Sequence, residues 1–349
     1  MSRRNLIGVI GVIAAIVTIV LAILRPATFF PVYLFAVLAW LNPALGCLLL
    51  SFIHQMTGGK WGRTLQPMLS AGAATIPWAL LFAMPLFFGM HDLFPWAGAD
   101  TNSLFARHPI YLSPAGYVIR GVIYGVVYLW LISLSRRTDK PWTGPVGMIA
   151  YVLTTYLLSV DWIVSLEPDW YSTGFPVVLM ASQGVSALAL SVAATLWLRP
   201  LTNEDNSDPK TWKDLGNLML ATLMFWAYLS YGEFLIIWSG NLPAQSSWYV
   251  QRNAGGWHYL LIGLVLLNLV APVLLLLSGR MKRHFGGFAW VSSAVVFFQI
   301  VYLYWLIIPA FRTTGIAFHF IDLVAPIAIG GLYLFFYLGN ARKKISRHA

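Results

Sequence analysis

The chain has 349 residues, 59% of them apolar and only 10% charged, with a mean hydropathy of +0.72 and a net charge of +10. Soluble domains carry about 25% charged residues, so this composition excludes a soluble globular class and points to a polytopic membrane protein. The positive excess is sorted by loop, as orientation signals are, and does not point to nucleic acid.

Ten apolar stretches each come close to the roughly 20 residues a helix needs to cross a bilayer. The first, 6–24, follows Arg3 and Arg4 as a signal peptide would. No small-residue cleavage site follows it and the run is long, so it reads as a retained first helix. The others are expected at 31–54, 68–90, 114–135, 146–166, 173–198, 214–238, 256–278, 288–308 and 321–338. Pro and Gly punctuate the gaps, as in Thr57-Gly58-Gly59, Thr143-Gly144-Pro145 and Gly286-Gly287. The expected fold is all-α, a single integral membrane domain over 1–349.

Alternate loops differ sharply in basic residues. One set holds Arg3, Arg4, Lys60, Arg63, Arg136, Arg137, Lys140, Arg199, Lys210, Lys213, Arg280, Lys282, Arg283, Arg342, Lys343, Lys344 and Arg347. The other holds Arg25, Arg107, Arg252 and Arg312, leaving Arg120 inside a span. By the positive-inside rule both termini face the cytoplasm, and an odd number of spans would destroy the sorting. The opposite loops, 91–113, 239–255 and 309–320, are longer and aromatic, with Trp96, Tyr111, Trp248 and Tyr249. Belt anchoring explains most such aromatics; packing under an extramembrane partner is the other reading.

The sole cysteine, Cys47, sits among leucines and reads as a small buried hydrophobe. An iron–sulfur cluster held within one chain needs about four thiolates, and no C-x-x-C-H haem-attachment motif is present. Electron-transfer centres would therefore belong to other subunits.

Acids inside the spans are costly in a bilayer and are functional candidates for that reason. Asp161 lies ~7–8 Å below the outer end of the fifth span at 1.5 Å rise per residue. Ser165 is one turn above it and Thr154 two turns below, a polar stripe that can pass protons or tie helices together. Glu233 lies at similar depth in the seventh span, near Tyr228, Ser230 and Tyr231. If the two carboxylates faced each other, one pKa would rise and a shared proton would be favoured.

Glu167, just before Pro168, reads as interfacial and structural, and Arg120 as snorkelling or paired with Asp161 or Glu233. His258 opens the eighth span, while His319 and Asp322 stand where the tenth begins, positions suited to proton exchange at a water-exposed mouth. His54 and His258 lie at opposite ends of their helices, the wrong heights for a haem pair, and His258 with His319 would be interfacial. Asp214 and Asn217 read as capping the seventh span. Gln183, Asn268 and Gln299 fall near mid-membrane, where amides bridge helices or line water paths.

Two blocks carry a family resemblance. Ser159–Trp170 continuing through Tyr171-Ser172-Thr173-Gly174-Phe175 follows the pattern S-x-D-W-x-x-S-L-E-P-x-W-x-S-T. The second runs from Lys213-Asp214-Leu215-Gly216-Asn217-Leu218 to Glu233-Phe234-Leu235-Ile236-Ile237-Trp238-Ser239-Gly240-Asn241-Leu242-Pro243 and Trp248-Tyr249. Both resemble the F subunit of bacterial alternative complex III, one of two related polysulfide-reductase-anchor-like (NrfD-like) membrane subunits. The resemblance covers nearly the whole chain in hydropathy, although the chain is short for the family.

That resemblance implies two four-helix bundles, here 31–166 and 173–308, flanked by a first helix (6–24) and a last (321–338). It implies a bacterial inner-membrane complex that oxidises quinol. Partners would be a related C membrane subunit, an iron–sulfur subunit and c-type cytochrome subunits, with haem c and the clusters held by those partners. This chain would bind no redox centre of its own. It would scaffold the complex and carry protons through half-channels that include Asp161, Glu233, His258, Asp322 and Arg120. Asp161 and Glu233 fall in the matching motifs; His258 and Asp322 rest on position. A second reading is a quinol site in this chain near the outer surface, with Asp161 or His258 as proton acceptor. A third, from another class, is an independent secondary transporter, which predicts broken helices at corresponding places in two halves.

Overall fold

The computed structural model of the chain describes residues 3–24, 26–98, 111–137, 140–198 and 209–348. Arg25, Arg107 and Arg199 lie outside the described residues, as do the side chains of Arg3 and Arg347. In lipid every backbone N–H and C=O must be satisfied within the protein, so the apolar runs fold as helices. Among the described residues, ten helices are long and apolar enough to cross a membrane: Arg4–Leu24, Thr28–Thr57, Lys60–Phe87, Pro114–Ser135, Thr143–Leu166, Phe175–Leu198, Pro209–Gly240, Trp257–Leu277, Phe285–Ala310 and Phe320–Ile345. We refer to them as spans one to ten.

Span three begins eight residues before the expected position 68. Gly58 (φ +66°) and Gly59 (φ +102°) reverse the chain immediately after span two, a backbone path that L side chains rarely adopt. Inside span three the helix stops at Ala73 and restarts at Ile76. Pro77 lacks an N–H and fits only the first turn of the new helix.

Span seven also starts early, at Pro209, which corrects the reading of Asp214 and Asn217 as caps. Both lie more than a turn inside the helix, whose described part already runs upstream of them from Pro209. Asn217 instead accepts a hydrogen bond from Lys282 Nζ at 2.5 Å. The segment expected as loop 239–255 contains a helix, Pro243–Asn253, with Trp248 and Arg252 buried one turn apart. Its mean hydropathy is too low to signal a span, and its polar residues read as loop.

Spans two and six form the centre. Their most apolar stretches are 83% and 94% buried, and the two helices pack directly on each other. Gly46 permits the approach: a Cβ there would collide with the carbonyl oxygen of Gln183. Spans one and ten pair in the same way, since a Cβ on Gly331 would stand 2.6 Å from Gly11 Cα. Lipid tails are as apolar as leucine, so such close backbone contact and hydrogen bonding hold membrane helices together. Spans one, seven and eight are only 22% buried and span four 33%. Ile13, Ile19, Val122, Val126, Ile236 and Leu274 are accordingly exposed, an apolar surface that fits lipid.

A polar network crosses the centre. Asn42 Nδ2 donates to Ser182 Oγ (3.3 Å) and Ser186 Oγ (3.1 Å), and Ser182 Oγ donates to Gln299 Oε1 (2.7 Å). Tyr151 donates to Gln183 Oε1. Gln183 and Gln299 therefore bridge helices. Asn268 makes no such bond; it is buried in a π-helical turn, Val265–Val270.

Candidate functional site

Among the described residues, three arginine–carboxylate pairs stand at the ends of spans on the side of the aromatic loops 91–113, 239–255 and 309–320. The first joins spans four and five. Arg120 Nε donates to Asp161 Oδ2 at 2.8 Å and Nη2 to Oδ1 at 3.0 Å, a two-pronged contact. Tyr124, one turn below Arg120, donates to Asp161 Oδ2 at 2.6 Å, and Arg120 Nη1 donates to the Tyr111 carbonyl at 2.8 Å. Arg120 also lies over the Tyr111 ring, 3.9 Å from its centroid. Arg120 is thus paired rather than snorkelling, and Ser165 donates to the Asp161 carbonyl.

The second pair joins the helix 243–253 to the end of span five. Arg252 Nη1 lies 2.8 Å from Glu167 Oε1. The angles fall outside hydrogen-bond geometry, so we read it as a charge contact rather than a directional bond. Arg252 also donates to the carbonyls of Trp248 (3.2 Å) and Leu306 (2.7 Å) and stacks on Trp248. Burial lowers the Arg252 pKa from its ordinary value and the Glu167 charge opposes that shift; an arginine remains cationic throughout. Glu167, read from the sequence as interfacial and structural, meets Arg252 at the end of span five.

The third pair closes the loop before span ten. Arg312 Nη1 and Nη2 donate to Asp322 Oδ2 and Oδ1, both at 2.7 Å, and Tyr304 donates to Oδ2 at 3.1 Å. The His319 N–H donates to Asp322 Oδ2 at 2.8 Å, so this acid also caps the helix that starts at Phe320.

Below Asp161 hydroxyl groups continue inward. Tyr128, one turn below Tyr124 on span four, bonds with Thr155 Oγ1 at 3.0 Å. Tyr151, one turn below Thr155 on span five, reaches Gln183, next to Ser182 of the central network. The stripe lies on Tyr128, Tyr151 and Thr155 more than on the expected Thr154. Tyr124 is four residues from Arg120, a helical-face spacing readable in the sequence; that Tyr128 meets Thr155 and Tyr151 meets Gln183 was not.

Glu233 lies apart from Asp161. Its Oε2 accepts from Tyr249 of the helix 243–253, and its carbons pack beside Gly174. The two acids thus have separate partners, and no hydrogen bond between them exists among the described residues. Glu233 lines a cavity of about 710 Å³ between spans six to nine and the helix 243–253. Trp226, Trp248, Tyr249, Arg252, Tyr302 and Trp305 form much of its wall. Asp161 and His258 are not among its lining residues.

His258 is half-exposed, with Nδ1 3.1 Å from the Asn253 carbonyl, and its ring lies against Tyr259. Among the described residues, no three His, Cys, Asp or Glu side chains are placed to hold a metal ion.

No protein-family model matches the chain, and no curated protein matches its sequence significantly.

Proposed function

We propose that the chain is a multi-pass inner-membrane subunit of a quinol-oxidising respiratory complex of the alternative complex III type. In this reading it holds no redox centre, scaffolds its partners, and carries protons inward from Asp161. The observation that supports a proton path is the run of buried hydroxyls below that acid. Tyr124, Tyr128–Thr155 and Tyr151–Gln183 follow one another at one-turn spacing into the polar centre. Tyrosines and water can relay protons where carboxylates are absent. Asp161, Arg120 and Tyr124 form the outer head of the path. Glu233, with Tyr249, forms a separate proton-holding group. Asp322 and Arg312 belong to the outer mouth with His258.

The resemblance of the two sequence blocks supports membership of the complex. Close packing of spans one and ten, with spans two and six central, is compatible with two four-helix bundles flanked by a first and last helix. Basic residues collected at the end opposite the three ion pairs support cytoplasmic termini.

A quinol site at Asp161 or His258 is less well supported. Asp161 is engaged by Arg120 and Tyr124, and neither residue lines the large cavity. The transporter reading asks for paired breaks. The break at Ala74–Thr75 lies in span three and the π turn in span eight, second and third members of groups two to five and six to nine. These places do not correspond.

The test is purification of the tagged full chain from its native membranes, followed by quinol-dependent electron transfer and proton release in liposomes. Co-purifying haem c and iron–sulfur subunits are expected; a chain that purifies alone sinks the complex reading. With Asp161→Asn, electron transfer should persist while proton release falls. Unchanged proton release would leave Asp161 as a structural tie.

A further inference from the structure

We propose that the place between the start of span seven and the end of span eight binds a phosphate group, carried by an anionic membrane lipid or free in solution, through Lys213, Arg280, Lys282 and Arg283. The inference does not depend on membership of a respiratory complex.

A short helix between spans eight and nine, Gly279–Arg283, carries three of these cations and packs against the helix of span seven. Gly216 of span seven makes the seat. A Cβ there would stand 2.6 Å from Lys282 Cγ, so the glycine leaves the groove in which the lysine stem lies. The ammonium then reaches the next residue, donating to Asn217 Oδ1 at 2.5 Å. Trp212, one turn before Gly216, meets Phe285 edge-on with ring centroids 5.6 Å apart, a second tie between the same two segments. Lys282 is held by these contacts at only 5% exposure.

That seat leaves a charge without compensation. An ammonium has three donors, and Asn217 offers a neutral oxygen to one of them. Burying an ammonium is costly unless an opposite charge stands beside it. The charge beside Lys282 has the same sign: burial lowers its pKa, and Lys213 lowers it further. Among the described residues every arginine–carboxylate pair lies elsewhere, and Asp214 forms no ion pair with any of the four cations. Lys213, Arg280 and Arg283 are exposed and open to an incoming anion. Arg280 and Arg283 are three residues apart, on neighbouring positions of one helix face. Orientation signals account for basic residues that stand in water. They do not account for a lysine seated on a glycine and covered next to a like charge. A phosphate accepts several bonds at once from guanidinium and ammonium groups and cancels their repulsion. Its position at the ends of two spans is where lipid headgroups stand.

The test is native mass spectrometry of the full chain in a non-ionic detergent, titrated separately with phosphatidylglycerol and phosphatidylcholine of equal acyl length. Saturation by one phosphatidylglycerol per chain, ahead of phosphatidylcholine, is expected. Displacement of that lipid by inorganic phosphate, against chloride of equal ionic strength, names the free anion as the source; retention names the headgroup. Lys282→Met, which keeps an apolar stem over Gly216, should weaken binding about fivefold, and Arg280→Gln with Arg283→Gln roughly 25-fold. The matched change Arg136→Gln with Arg137→Gln, on another loop of the basic set, should leave it unaltered. Circular dichroism checks that each variant is folded, and the exposed arginine pair carries the test if Lys282→Met is not. Equal binding of the two lipids overturns the proposal, as does an equal loss from the Arg136 and Arg137 changes. Binding that appears only after Glu204→Gln, Asp205→Asn and Asp208→Asn also overturns it, because the chain's own acids would then hold the place.

Discussion

Arg120 and Asp161 bind each other through two prongs across spans four and five, yet they are buried unequally: the Arg120 side chain is 16% exposed and that of Asp161 2%. Removing one partner of a buried pair costs about 3–5 kcal/mol, because the other charge is left unpaired. Arg120→Leu strands the more deeply buried charge and should be the more damaging change. Asp161→Asn keeps an oxygen for Tyr124 and leaves a cation that can reach water. A thermal midpoint for each single variant ranks them. Cys47 provides the readout, since it is the only cysteine and is fully buried, so a thiol dye reacts on unfolding. A higher midpoint for Arg120→Leu than for Asp161→Asn would contradict the burial argument.

The Tyr151–Gln183 bond makes a prediction that separates structure from conduction. Tyr151→Phe leaves the Gln183 carbonyl oxygen buried without its donor, a loss of about 1–3 kcal/mol. Replacing both by apolar residues, Tyr151→Phe with Gln183→Leu, should recover part of that stability. Proton release in liposomes should not recover with it, because the relay group remains missing. Recovery of both together would mean that Tyr151 acts only as helix glue.

The ten spans were legible because a bilayer imposes one dominant rule, a long apolar run, on every crossing helix. Their ends were less so. Span three begins upstream of its apolar core, at Lys60, where glycine reversal sets the start, and the helix of span seven already runs upstream of its core at Pro209. Asp161 and Glu233 were visible as acids out of place, and Arg120 as a partner for one of them, but which acid it takes and what else reaches them were not. Arg120 is 41 residues from Asp161, and Tyr249 reaches Glu233 from a helix that hydropathy conceals. The cavity was wholly illegible, because five separate helical segments supply its wall and no local pattern marks their convergence.

Span one should depend on Gly331. Gly11 and Gly331 bring two backbones into contact, and any larger side chain must push the helices apart. Gly331→Leu should cost about 1–3 kcal/mol or more, the range for inserted volume in packed cores. A cysteine pair at exposed positions of spans one and ten, introduced with Cys47→Ala, would report the separation by slower crosslinking. Crosslinking at the unmodified rate would show that the contact is not the one holding span one.

Arg252 should not tolerate lysine. Its guanidinium spans Glu167, the Trp248 carbonyl and the Leu306 carbonyl while stacking on the Trp248 ring. A lysine ammonium is a point charge that cannot hold this planar arrangement, although it keeps the charge opposite Glu167. Arg252→Lys is therefore expected to lower stability by about 1–3 kcal/mol through the lost bonds to the Trp248 and Leu306 carbonyls. Glu167→Gln should have a different signature, because it leaves all the backbone contacts in place and removes only the countercharge of a fully buried cation. If the two variants lowered the thermal midpoint equally and neither altered the fluorescence of the stacked Trp248, the fork geometry would have no special part in holding this helix against spans five and nine.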